Sequence, residues 1–209
     1  MVNITENRFD TKKQRIFAAA EQIFSEKGYV AASMNEIAQT VGLAKATLYH
    51  YFASKDQLFA ALMENHFEGF LAEAQGRLQG VQTLEAIVQQ WMYLELDYFE
   101  RHHGLIRVFF HAGDNIPDSI CQMTAAKRKE IRGLVTRFLE PHLSEHLDVE
   151  FTAVFLQGTI KAVVLHLWST GQLLPHETIV QKMYPLLMNG LTQAEPMAER
   201  KKAQYEKST

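Results

Sequence analysis

Between Lys45 and Lys55 the chain reads KATLYHYFASK, a stretch with an ammonium group at each end, a hydroxyl at Thr47, phenols at Tyr49 and Tyr51 and an imidazole at His50. No carboxylate interrupts it. Such groups donate to and accept from base edges, and the small Ala46 lets a helix approach the bases closely or meet a thymine methyl. If the stretch is helical, at about 100° per residue, Ala44, Leu48, Phe52 and Tyr51 share one face. Ala46, Thr47, Tyr49 and His50 then point outward. That face can enter a major groove of double-stranded DNA without like-charge repulsion, and Lys45 and Lys55 stand at helix starts where each can pair with a phosphate.

Positioning such a face requires short helices with fixed ends, and the flanking sequence supplies their signals. Thr11 with Gln14, Ser33 with Glu36, and Ser54 with Gln57 each set a hydroxyl three residues before Glu or Gln, just ahead of an apolar stretch. This is the capping-box pattern: the hydroxyl accepts from a first-turn amide while the longer side chain reaches back. Gly28 and Gly42 supply the residue that closes a preceding helix. The spacing predicts helices over about 11–27, 34–41, 44–52 and 54–79, with Ile16, Ala20, Ile23 and Phe24 forming the inner stripe of the first.

Helical periodicity continues to the end, over 83–102, 104–113, 118–146, 149–170 and 176–193, and no period-two strand is evident. Pro141 and Pro185 fall within two of these stretches and should kink or end them. Residues 194–209 are polar with few apolar side chains, the composition of a tail without a core. The expected class is all-α: residues 1–54 as a helix-turn-helix head, a long fourth helix, and a helical body over 55–193.

Phe24, then Gly28 followed by an aromatic, Ile37 and Ala38 before the turn glycine, LYHYF at 48–52 and SKDQLF at 54–59 together resemble the N-terminal DNA-binding domain of the TetR family of bacterial transcriptional regulators. The resemblance covers roughly residues 10 to 62. It implies that Lys45, Ala46, Thr47, Tyr49, His50, Tyr51 and Lys55 lie where the family contacts bases or phosphates, with Ser33 near the phosphate-contacting start of the second helix. Alanine at position 46 departs from the glycine most frequent there. The resemblance further implies a repressor that acts as a homodimer on a palindromic operator and has no catalytic residues, cofactor or metal. Two heads about 34 Å apart, or a multiple of that, would read the two half-sites.

In the family the last two long helices form the interface between subunits, which assigns Phe155, Gly158, Thr159, Ala162 and Val163, then Ile179, Met183, Leu186, Leu187 and Leu191, to a partner-facing stripe. Gly158 and Ala162, one turn apart, would allow close helix approach. The body of such a regulator usually holds a small-molecule effector. Trp91, Tyr98, Phe109, Phe110, His111, Met123 and Trp168 are the side chains that could line an apolar pocket for a hydrophobic or amphipathic ligand. Lys127, Arg128, Lys129 and Arg132 form a basic cluster that would suit an acidic one, such as an acyl thioester.

Composition agrees with a globular, cytoplasmic protein. The 209 residues are 47% hydrophobic and 22% charged, and Cys121 is the only cysteine, so no intrachain disulfide forms. The densest apolar run, AVVLHLW at 162–168, is too short to span a bilayer, and the N-terminal segment lacks a signal-peptide core. Residues 1–60 hold seven basic side chains (Arg8, Lys12, Lys13, Arg15, Lys27, Lys45, Lys55) and six acidic ones (Glu6, Asp10, Glu21, Glu26, Glu36, Asp56) in a chain of net charge −3. The polarity suits a DNA-facing head on an acidic body, and its small size leaves discrimination to specific contacts.

Two other classes compete. His142-Leu-Ser-Glu-His146 matches the H-x-x-E-H string of zinc hydrolases, in which two histidines one helical turn apart hold zinc beside a glutamate. Pro141 directly precedes it, and no third ligand is identifiable from the sequence. A protein-binding adaptor could also keep the head fold without reading DNA.

Overall fold

The computed structural model describes residues 4–111 and 115–192, and only the backbone of 4–10, 110 and 111. Among the described residues there is no strand. The helices are α1 (Ile4–Ala31), α2 (Met34–Val41), α3 (Lys45–Tyr51), α4 (Lys55–Leu78), α5 (Leu84–Arg101), α6 (His103–His111), α7 (Asp118–Leu139), α8 (Val149–Ser169) and α9 (His176–Thr192). The protein is all-α, an N-terminal helix-turn-helix head followed by a helical C-terminal domain.

Two of the three capping boxes form. Ser33 Oγ accepts from the Glu36 amide at 3.3 Å while Glu36 Oε2 accepts from the Ser33 amide at 3.2 Å. Ser54 Oγ accepts from the Gln57 amide at 3.1 Å, and the Gln57 side chain reaches back to the amide of Ala53, also at 3.1 Å. The third fails as a cap, because α1 begins at Ile4 and Thr11 lies inside it. Gly42 ends α2 with φ 74 and ψ 36, placing its own amide on Gln39 O and that of Leu43 on Ala38 O. Those two bonds satisfy the carbonyls that the helix end leaves open.

One unit comprises residues 1–70 with 99–129, and the other residues 71–98 with 130–209. In the first, α6 packs on α1 and supplies Leu105 and Val108 to a core built from Ile16, Ala20, Phe24, Ile37, Leu48, Leu58 and Phe59. A Cβ added at Gly104 would lie 2.5 Å from Ser25 Cβ, so the two helices touch through the bare backbone there. The aromatic marks of the sequence meet in this core: Phe24 meets Phe59 edge-on at 4.9 Å, Tyr29 lies 4.9 Å from Phe59, and Phe17 packs 5.8 Å from Phe52.

The second unit is built from α5, α8, α9 and the adjoining parts of α4 and α7. Pro141 ends α7 as expected, since the helix stops at Leu139 and only a 3-10 turn, Glu140–His142, follows. Pro185 does not end α9, which runs on to Thr192. Arg77 binds Glu73 and Asp97, each at 2.7 Å, and the other oxygen of Asp97 meets His176 Nδ1 at 3.1 Å. This joins α4, α5 and the start of α9 at a half-exposed network.

Glu95 is a buried carboxyl in the same unit, beside the fully buried Trp91. Burial pushes its pKa well above the usual carboxylate range, although the neighbouring Trp91 indole and the charge of Lys161 oppose this. The folded state therefore holds a proton that the unfolded chain releases near pH ~4.3. Above that value stability falls as pH rises, by about 1.4 kcal/mol per unit, until the folded pKa is passed. Glu95→Gln removes the ionisation. Urea unfolding at about pH 5, 6 and 7 should show the variant gaining on the wild type at each step by up to that amount. A constant difference across the series would place no titration at Glu95.

Candidate nucleic-acid interface

The head sets α3 by three local devices. Gly42 reverses the chain between α2 and α3, Leu48 is wholly buried in the core of the head, and Phe52 leaves the helix in an extended conformation and is buried too. Ala44 corrects one expectation. It is the exposed N-cap with φ −62 and ψ 142, and the neighbouring Leu43 packs on the core in its place. Tyr51 also packs on the core and is half-buried.

The outward face is as the periodicity predicts. Lys45, Ala46 and His50 are exposed, Tyr49 is 40% exposed, and Thr47 is half-buried. Lys45 Nζ lies 5.7 Å from the centre of the Tyr49 ring, and His50 meets Tyr51 edge-on at 6.2 Å. The two carboxylates of the 33–57 segment are engaged elsewhere, Glu36 with Ser33 and Lys27, and Asp56 with the Tyr29 hydroxyl. Burial and the charge of Asp56 both raise the Tyr29 phenol, which stays a proton donor. The exposed turn therefore offers donors, acceptors and a methyl without a competing anion, which is what a base-reading helix requires.

Two predicted residues carry a second task. Ser33 is half-buried, and both its hydroxyl and its amide are engaged in the α2 capping box. Lys55 sends its ammonium to the carbonyls of Tyr29 at 2.8 Å, Val30 at 3.0 Å and Ala32 at 3.3 Å, over the Tyr29 ring. Arg15 similarly donates to Val41 O at 3.1 Å and closes α2. No sequence spacing announces either contact, since each runs from a side chain to a backbone oxygen on a distant segment.

The pocket set lies in both units. Trp91, fully buried, and Tyr98 and Trp168, half-buried, belong to the second unit. Phe109 and Met123 pack on the core of the first, with Arg128 5.6 Å from the centre of the Phe109 ring. The side chains of Phe110 and His111 are outside the described residues, as is the tail at 194–209. The basic cluster is partly committed: Lys127 lies 4.0 Å from Glu68.

The partner-facing stripe is half corrected. Phe155, Gly158 and Ala162 are exposed and Thr159 is half-buried, but Ile179, Met183 and Leu187 are buried within their own unit. On α9 the apolar side chain that faces outward is Leu186, 76% exposed. The H-x-x-E-H string is not helical, because α7 stops before it, so His142 and His146 do not share a helix face.

Residues 16–62 match the pattern of the bacterial regulatory proteins, tetR family. The match covers the head, which is a domain of the TetR-family type. Among TetR-family relatives, it is 30% identical over 105 residues to the HTH-type transcriptional activator FasR of Mycolicibacterium smegmatis, covering 48% of this chain and 46% of that protein. It is 30% identical over 108 residues to the HTH-type transcriptional regulator UidR of Escherichia coli, covering 52% and 55%. The chain thus spans about half the length of the curated relatives it matches. In fold it is similar to a transcriptional regulator FadR from Bacillus subtilis in complex with stearoyl-CoA, with a TM-score of 0.76 at 20% identity over 85% of this chain and 98% of that one.

The Lys55 contacts separate two roles for that side chain. Lys55→Met keeps the stem and removes the donors, at a cost of about 1–2 kcal/mol for hydrogen bonds to a charged group. That corresponds to a fall in melting temperature of roughly 2–8 °C, measurable by circular dichroism. A melting temperature equal to that of the wild type would deny the cap.

Proposed function

We propose that this protein is a transcriptional repressor that binds a palindromic operator as a homodimer and is released by a small hydrophobic or amphipathic effector. The observation that carries the reading is the outward face of α3, with Ala46, Thr47, Tyr49 and His50 presented free of carboxylate on a TetR-family head. Repression by steric occlusion of a promoter needs nothing beyond that head. The reading contains no catalytic step and places the protein in the cytoplasm, where the DNA is.

Dimerisation rests on α8. This helix is long and apolar enough to cross a membrane by length and composition only, a property that core helices of soluble proteins share. One side of it, with Ala153, Leu156, Ile160, Val164 and Leu167, is buried in its own unit. Phe151 at 70% exposure, Phe155 at 50%, Gly158 and Ala162 follow on the other side at alternating spacings of four and three. That is the seam of two packed helices, with small residues where backbones approach. A second copy of the same seam is the occupant that a two-fold operator calls for.

The effector class is supported by the aromatic content of the body and by the likeness in fold to a regulator that was crystallised with stearoyl-CoA. Release needs a ligand that prefers the non-binding arrangement of the heads. A hundredfold loss of operator affinity corresponds to about 2.7 kcal/mol of such preference.

Operator fragments selected from genomic DNA provide the test, in shift assays at several salt concentrations. Thr47→Val and His50→Ala should each cost about 1–3 kcal/mol and relax preference at one position of the half-site, whereas Lys45→Met should weaken all sequences and reduce the salt slope by about one. If none of the three changes binding, the head does not read DNA and a protein-binding adaptor is the better reading. Light scattering after gel filtration should give a dimer at micromolar concentration. Phe155→Asp, at an exposed position, should give a folded monomer with operator affinity reduced at least tenfold, whereas a monomeric wild type would end the dimer proposal.

A further inference from the structure

Glu21, His66 and His102 come together in the first unit from α1, α4 and the turn between α5 and α6. One donor atom from each lies within 4.8 Å of the other two. His102 Nδ1 is 2.9 Å from Glu21 Oε1, and His66 Nε2 is 3.3 Å from Glu21 Oε2. The two imidazoles stand nearly perpendicular, at 69°, with ring centres 4.3 Å apart. In a tetrahedral zinc site with bonds of about 2.0–2.1 Å, neighbouring donors are roughly 3.3 Å apart. The carboxylate-to-imidazole separations are already close to this.

A salt bridge alone leaves this arrangement unexplained. His66 is 8% exposed, and its Nε2 points into the cluster, where Glu21 Oε2 at 3.3 Å is a contact too poorly aligned to count as a hydrogen bond. A buried ring nitrogen held only by such a contact has capacity for a further partner, and a metal ion is one that fits. An anion with two imidazole nitrogens turned toward it is the donor set of a three-residue zinc site. The side chains of His102 and Glu21 keep 22% and 27% exposure, which leaves a solvent side for a fourth ligand.

We infer that Glu21, His66 and His102 form a binding site for a divalent transition-metal ion, zinc by its ligand set, that fastens α1 and α4 to the α5–α6 turn. Binding displaces any proton on the two ligating nitrogens and involves no change of oxidation state.

Cobalt titration of the full-length protein, read by visible absorption, tests the assignment. One equivalent of Co²⁺ should give the intense ligand-field bands of a four-coordinate ion and no thiolate charge-transfer band, which sets Cys121 aside. One equivalent of Zn²⁺ should abolish the bands, and millimolar Mg²⁺ or Ca²⁺ should not. Glu21→Gln and His102→Ala, at half-exposed positions, should each weaken binding at least tenfold, while His142→Ala with His146→Ala should leave it unchanged. Circular dichroism establishes that each variant is folded, and Glu21→Gln provides a near-isosteric replacement should His102→Ala not fold. Absence of tight binding, bands that survive both ligand changes, or bands that vanish in the His142/His146 variant would each overturn the site.

Discussion

The head depends on how the chain stops at Gly28 and reverses. With φ 77 and ψ 168 this residue occupies a backbone region open essentially to glycine alone, and α1 breaks there. The break turns the carbonyls of Tyr29, Val30 and Ala32 out of any regular ladder, and the ammonium of Lys55 takes up all three. Because Lys55 is the first residue of α4, the end of one helix is tied to the beginning of another, with α2 and α3 held between. Phe24, Tyr29 and Phe59 then lock the same corner by ring contacts. α3, only seven residues long and without a side-chain cap of its own, takes its orientation from this frame.

Features whose physics is local were legible in the sequence. The caps at Ser33 and Ser54, the left-handed stop at Gly42 and the bounds of α2 and α4 each depend on residues within a few positions of one another. The outward side of α3 followed from its periodicity because Leu48 anchors the inner face. Thr11 misled because a capping pattern cannot tell the start of a helix from its interior when the preceding residues are themselves compatible with helix. Ala44 misled because periodicity was carried one residue beyond the helix end, where the chain is extended and Leu43 turns inward.

Contacts between distant segments were not legible. An apolar stripe on α9 reads the same whether it faces its own subunit or another, and burial decides it for Ile179, Met183 and Leu187. The acceptors of Lys55 are backbone oxygens that no residue type signals. Glu21, His66 and His102 lie on three separate segments, so no motif of fixed spacing could have gathered them, whereas the His142 and His146 string had the spacing and lost the helix it needed.

The contact between Gly104 and Ser25 links two parts of the chain by exclusion. No side chain larger than hydrogen fits at position 104 while a Cβ stands 2.5 Å away at position 25. Relief by sliding α6 along α1 would drag Leu105 and Val108 out of the core. Among descendants of this sequence the two codons are therefore bound to a shared history: position 104 can grow only after position 25 has shrunk to glycine, and lineages that acquire the changes in the opposite order pass through a less stable intermediate.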